Sequence, residues 1–379
     1  MTHTKPSSTG LHHSLLQLGS PARFRESLVL QRPASLRAAW AVGLQAAAAV
    51  IAAAVLLHLS PWHQWAAHGG LGALAALYGR FSPAPQRRMI VLHAGALLVA
   101  SVLSVSLLSL LANTMMQMLL LFALVAGVIA AWSHHAQLGL PGVVIFIFAG
   151  SATLTPAASG QEVAARSLAT AIGVAMALLM GLLTERLRLS DGPHKTVAIP
   201  TPAHTAADSS SSHFWHKHPL LRVGLSVALC SLVATQVAHA FGLAHPAWAA
   251  IGAVAVVQGS HLHIAMHRAW QRTLGTIVGA GIAWLVLSQH PSFYQILLAV
   301  AVLQVITEVV IGYNYALGQM AITPMALLMT ALAAHSDALE IATARIYDTA
   351  LGAVVGIVLA LLLSTLQERQ SLAKHHHQR

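Results

Sequence analysis

Apolar runs almost free of charge recur along this chain. They fall near residues 36–59, 65–80, 89–112, 115–132, 139–155 and 163–184, then again near 220–241, 246–260, 272–288, 292–311, 315–334 and 341–363. A helix crosses the hydrocarbon core of a bilayer with about 20 residues, and inside it every backbone N–H and C=O must be satisfied within the protein. Runs of this length and composition therefore read as membrane helices. Only 8% of the chain is charged, against roughly 25% in an ordinary soluble domain. The expected fold is an all-α polytopic membrane protein of about twelve transmembrane helices.

The distribution of lysine and arginine gives that fold an orientation. If the N-terminus is cytoplasmic, the inner segments contain Arg80, Arg87 and Arg88; Arg186, Arg188, Lys195 and Lys217; Arg268 and Arg272; and Arg369, Lys374 and Arg379. The outer loops near 60–64, 113–114, 156–162, 242–245, 289–291 and 335–340 contain neither residue type. This bias places both termini in the cytoplasm. It also accounts for the net charge of +10 without nucleic acid. Residues 1–35 read as a cytoplasmic N-terminal arm and not a removable signal peptide. Residues 186–219, rich in proline, serine and threonine, read as a disordered cytoplasmic linker, and residues 365–379 as a cytoplasmic tail.

The two sets of runs are related. Ala165-Arg166 through Thr170-Ala171 to Gly173 aligns without a gap on Ala344-Arg345 through Thr349-Ala350 to Gly352, at an offset of 179 residues. Residues 36–185 and 220–364 are thus expected to be two membrane repeats. Six spans in each make the repeats parallel. The second and eighth spans are short and contain glycine (Gly69, Gly70, Gly72 and Gly79; Gly252 and Gly259). Such spans mark either a substrate site or tight helix packing.

Charge within these helices is costly and asks for a role. Arg345, Thr349, Gly352 and Gly356 share one helix face, and Arg166, Thr170 and Gly173 repeat it. If the two faces meet at the repeat axis, two guanidinium forks could receive a carboxylate. The alternative is structural pairing, of Arg345 with Asp348 and of Arg166 with Glu162. Glu308, in the tenth span, has Ile129 as its counterpart and so breaks the symmetry. It is a candidate for proton coupling, with Asp348 as the second, or else a neutral acid bonded to a neighbouring helix. Thr323-Pro324 should kink the eleventh span, with the threonine re-satisfying the freed carbonyl.

The segment Trp248-Ala-Ala-Ile-Gly252, then Arg268-Ala-Trp-Gln-Arg272-Thr-Leu-Gly275, resembles the fusaric acid resistance protein-like family. So do Tyr313-Asn314-Tyr315, Thr323-Pro324 and the run from Arg345 to Gly356. The first half carries the pattern in degraded form, at Arg87-Arg88 and Gly95. The resemblance implies an inner-membrane protein related to aromatic acid exporters, and more distantly to plant malate transporters. With the repeated helix faces described above, the expected substrate contacts are Arg166, Arg345, Thr170 and Thr349, joined by Tyr313 and Asn314 of the resembling motif.

No catalytic residue, metal site or cofactor is expected. Cys230 is the only cysteine, and among the 24 histidines His261, His263 and His267 form a cluster without a carboxylate or thiolate to complete a metal shell. No phosphate loop or nucleophile elbow is present. The expected partners are a small organic acid and membrane lipid, with homo-oligomerisation open and no nucleic acid. Three functions remain: a proton-driven exporter, an anion channel of the same fold, and a non-transporting membrane scaffold subunit.

Overall fold

A computed structural model describes residues 29–30, 35–80, 82–185, 218–258, 262–333 and 337–363. The expected N-terminal arm, the linker and the tail lie almost wholly outside the described residues, as do Gly259 and His261 and the side chain of His263. The described residues form helices: α1 (Leu36–His58), α2 (Ala66–Ala73), α3 (Ala84–Ser109), α4 (Met115–His135), α5 (Val144–Ser151), α6 (Gly160–Leu183), α7 (Pro219–Ala240), α8 (Pro246–Val257), α9 (Leu262–Leu287), α10 (Phe293–Val310), α11 (Tyr315–Ala333) and α12 (Ala338–Leu363). Among the described residues there is no strand.

Local chemistry sets the helix starts. Ser35, Thr114 and Ser159 accept backbone N–H groups at the first turns of α1, α4 and α6. Ser292 and Gln295 form a capping box on α10. Pro219 and Pro246 open α7 and α8, where a missing N–H costs nothing. Between these signals the helices are runs of leucine, alanine and valine.

Eight helices, α1, α3, α4, α6, α7, α10, α11 and α12, are long and apolar enough to cross a membrane. Twelve spans of full length are not found among the described residues. Helices α2 and α5 have 8 residues each and α8 has 12, so at about 1.5 Å per residue each is shorter than the roughly 30 Å hydrocarbon layer. Their apolar runs are instead spent on the interior. Every residue of α2 is buried, as is every residue of α8 from Pro246 to Val256. A helix apolar on all sides belongs at the centre of a bundle. The long helices around them turn leucine and valine outward, with Val128 66% and Leu298 63% exposed, as a surface facing lipid requires.

The packing pairs recur at a spacing of six helices. Helix α2 packs on α6 as α8 does on α12; α3 packs on α6 and α5 as α9 does on α12 and α11; α1 packs on α2 as α7 does on α8. Contacts between the first six helices and the last six follow the same rule. Helix α1 packs on α10 and α7 on α4; α8 packs on α5 and α2 on α11.

Candidate functional site

Two close helix crossings position the buried arginines. A Cβ at Gly72 would strike the Thr170 carbonyl, and one at Gly173 the Gly69 carbonyl. In the other half a Cβ at Gly352 would strike the Ala249 carbonyl, and one at Gly252 would lie 3.3 Å from the Thr349 oxygen. The glycines of the short helices therefore serve contact between backbones, the packing alternative of the two read from the sequence. Each crossing sets an arginine over a tryptophan. The Arg166 guanidinium carbon lies 5.7 Å from the Trp65 ring and that of Arg345 lies 4.9 Å from the Trp248 ring.

The rings around the arginines are related in an unexpected way. Trp65 and His245 stand 180 residues apart, as do His68 and Trp248. The same two residue types occupy the corresponding positions in reverse order. In both halves they touch: Trp65 and His68 edge to face at 5.4 Å, His245 and Trp248 stacked at 4.1 Å. His245 precedes α8 at its N-terminus, and burial, followed by the nearby Arg345 charge, holds its imidazole below the ordinary value of 6.5.

The arginines themselves differ. Arg166 is 5% exposed. Its Nη2 pairs with Glu162 at 2.5 Å, and its Nη1 donates to the Thr155 and Thr153 carbonyls at 3.0 and 3.4 Å. The Thr170 hydroxyl donates back to the Arg166 carbonyl at 2.9 Å. The expected Arg166–Glu162 ion pair is present.

Arg345 is 2% exposed, and its Nε and Nη1 have no hydrogen-bond partner. No ion pair joins it to Asp348, which corrects the expectation of pairing at that spacing. The Thr349 hydroxyl is also buried without a hydrogen-bond partner, and the buried Asp348 carboxylate lies beside the His245 backbone N–H without an ion pair. The counterparts of Glu162 and Asp348 at the 179-residue offset, Ile341 and Ala169, explain why the two surroundings diverge.

The two arginine faces do not meet at the axis between the halves. Helix α6 packs on α2, α3 and α1, while α12 packs on α8, α9 and α7. Each arginine is held within its own half.

Arg272 is the residue that the sequence reading misplaced. Counted there with the charges of an inner loop, it lies within α9, 3% exposed, and donates from Nη1 to the Tyr315 hydroxyl at 3.0 Å. Arg272, Asp348 and Tyr315 are electrostatic neighbours of Arg345. The sequence hid this, because His263, His267, Arg268 and Gln271 precede Arg272 in α9 and make its first three turns read as a polar loop. His68, buried with neither ring nitrogen hydrogen-bonded, was missed because a lone histidine in an apolar run carries no pattern.

The remaining candidates lie elsewhere. Glu308, 7% exposed, accepts an ion pair from Arg80 at 2.7 Å, near the end of α10. Asn314 receives the Ala316 N–H at 2.7 Å at the start of α11 and donates to the Val29 carbonyl at 3.2 Å. Tyr313 is half-buried in the turn before it. The Thr323 hydroxyl donates to the Thr276 hydroxyl at 3.4 Å rather than to the carbonyl freed by Pro324.

The comparisons with known proteins single out the half that holds Arg272 and Arg345. Residues 232–359 match the fusaric acid resistance protein-like family. The motifs read from Trp248 to Gly356 fall inside this region, and the degraded copy at Arg87-Arg88 falls outside it. The chain is also similar to an uncharacterized membrane protein, YvaC, of Bacillus subtilis (strain 168), 34% identical over 148 residues. That alignment covers 39% of this chain and 24% of the relative. No solved structure matches the chain. The fusaric acid resistance protein-like region thus contains α8, α9, α10, α11 and most of α7 and α12, the elements that enclose Arg345.

Proposed function

We propose that the protein is a secondary transporter of the bacterial inner membrane that exports small aromatic or other organic acids in exchange for protons. Its helices form two parallel repeats of six, about twelve membrane-inserted segments in all, with both termini cytoplasmic. The observation that carries this reading is the recurrence of the packing pairs at a spacing of six helices, including the contacts between halves. Transporters of this build move one half against the other around a site near mid-membrane. Short buried helices crossing a long arginine-bearing helix in each half suit such a site, and the family match supports the transport class.

Purified protein in liposomes tests the reading. Benzoate uptake should follow an imposed pH gradient and collapse when the gradient is removed. In this scheme Glu308→Gln abolishes gradient-driven uptake and spares counterflow exchange. Equal loss of both would remove Glu308 from coupling. No flux of any acid, with a partner protein co-purifying, would replace the transporter by a scaffold.

One observation favours a second reading. Glu308 is held in an ion pair with Arg80, a structural use that accounts for a carboxylate at this position. A channel of the same fold needs no coupling carboxylate. Steady anion current at zero pH gradient would establish it.

A further inference from the structure

The two halves place an arginine over a tryptophan at equivalent crossings, yet one arginine is consumed by the protein and the other is not. Arg166 spends both terminal nitrogens on Glu162 and two carbonyls. Its threonine neighbour bonds a helix carbonyl. Nε lacks a partner in both arginines, but around Arg345 more is left unfilled: Nη1 of Arg345, Nε of Arg272 and the hydroxyl of Thr349 are buried without a hydrogen-bond partner, and the Asp348 carboxylate, beside the His245 backbone N–H, makes no ion pair. Native proteins rarely leave so many buried polar atoms together, and such a cluster calls for a ligand or a catalytic role. The charges at this place are two guanidinium groups and one carboxylate, so one positive charge remains uncompensated away from water, at a cost that a single anion would remove.

We propose that the crossing of α8, α9 and α12 is the anion-binding site of the protein, taking one monocarboxylate per chain on Arg345 and Arg272, and that the equivalent crossing at Arg166 is a structural clamp. The inference rests on the transporter reading above for its biological purpose, but not for its chemistry. The carboxylate takes the fork of donors that Arg345 presents, beside the Trp248 face that holds the guanidinium in place. Asp348 sets the charge of the site. With it present the site is complementary to one negative charge, and a dianion would leave an excess.

Binding to the full chain in detergent micelles, followed by calorimetry with benzoate and phthalate, tests this without any flux measurement. The expected result is one benzoate per chain, with phthalate at least about tenfold weaker. Arg345→Gln should weaken benzoate by about tenfold or more, whereas Arg166→Gln should change its affinity by less than about threefold while lowering the melting temperature. Should Arg345→Gln fail to fold, Asp348→Asn gives an independent reading: it should shift preference from benzoate toward phthalate. Two benzoates per chain, equal weakening by the Arg166 and Arg345 variants, or an unchanged preference in Asp348→Asn would each overturn the proposal. Benzoate binding without transport in liposomes would keep the site and remove the transporter reading. Transport of organic acids without benzoate binding at this crossing would do the reverse.

Discussion

Arg80 and Glu308 form a 2.7 Å ion pair between the first six helices and the last six. Their side chains are 17% and 7% exposed, so water screens the pair only in part. Glu308 lies one turn from the end of α10, and Arg80 follows the buried helix α2, so the pair ties the α1–α10 seam at one end. Among the described residues the equivalent seam between α7 and α4 has no ion pair, only the Gln236 Nε2 hydrogen bond to the Met116 carbonyl at 3.3 Å. There Gly127 and Gly224 also bring the backbones together.

The tie should be measurable by a double-mutant cycle. Arg80→Gln and Glu308→Gln should each destabilise the protein, by about 1–3 kcal/mol, because each removes one charge of a partly buried, hydrogen-bonded pair. The double variant should be more stable than the sum of the two, with a coupling of about 1–3 kcal/mol. Thermal unfolding in detergent, followed by loss of the monodisperse species, reads this directly. Additive losses would mean that the pair contributes no coupling.

Glycine substitutions should separate contact from composition. Gly352→Ala forces a methyl against the Ala249 carbonyl, a backbone atom that cannot swing aside, whereas Gly281 in α9 has nothing within 4 Å of an added Cβ. Gly352→Ala should cost about 2 kcal/mol or more from overpacking. Gly281→Ala should be neutral or slightly stabilising, by up to about 1 kcal/mol. Comparison of melting temperatures under one detergent condition decides the point.

His245 predicts an acid limit on stability. Its imidazole is held below 6.5 by burial and by the Arg345 charge. The unfolded chain therefore binds a proton there more readily than the folded one, and stability rises with pH over the interval between the two values. The effect is absent above 6.5 and grows as the pH falls toward the lowered folded value. His245→Asn should flatten the fall of the melting temperature below about pH 6.5 relative to the parent. An unchanged slope would assign the acid limit to other groups.

The stacking of Arg345 on Trp248 should also be separable. Trp248→Leu removes a ring 4.9 Å from the guanidinium, a contact of about 1–2 kcal/mol when desolvated. The same substitution in an Arg345→Met background should lose that increment and retain only the packing cost. Stability of the four proteins by thermal unfolding gives the difference.

Much of this molecule was legible before any coordinates. Uncharged runs of leucine, alanine and valine admit only helices in a bilayer, and Ser35, Thr114, Ser159 and the Ser292–Gln295 box fix where several begin. The family region was readable from Trp248 to Gly356, and the two arginines from their offset alone. The Glu162–Arg166 pair was also legible, since four residues along a helix bring such groups together.

What the sequence settled by itself is the class of fold and the positions of Arg166, Arg345 and Glu308 within apolar helices, because these follow from hydrophobicity and spacing along one chain. Which long apolar run crosses and which short one is buried at the centre was decided by tertiary packing, since α2 and α8 differ from their neighbours in surroundings and length, not in apolar character. Packing also decided that Arg345 and Asp348 stay unjoined, that Arg272 comes to Arg345, that Arg80 reaches Glu308, and that the arginine faces stay in separate halves. Each of these depends on the relative placement of helices far apart in sequence, and no local periodicity records it.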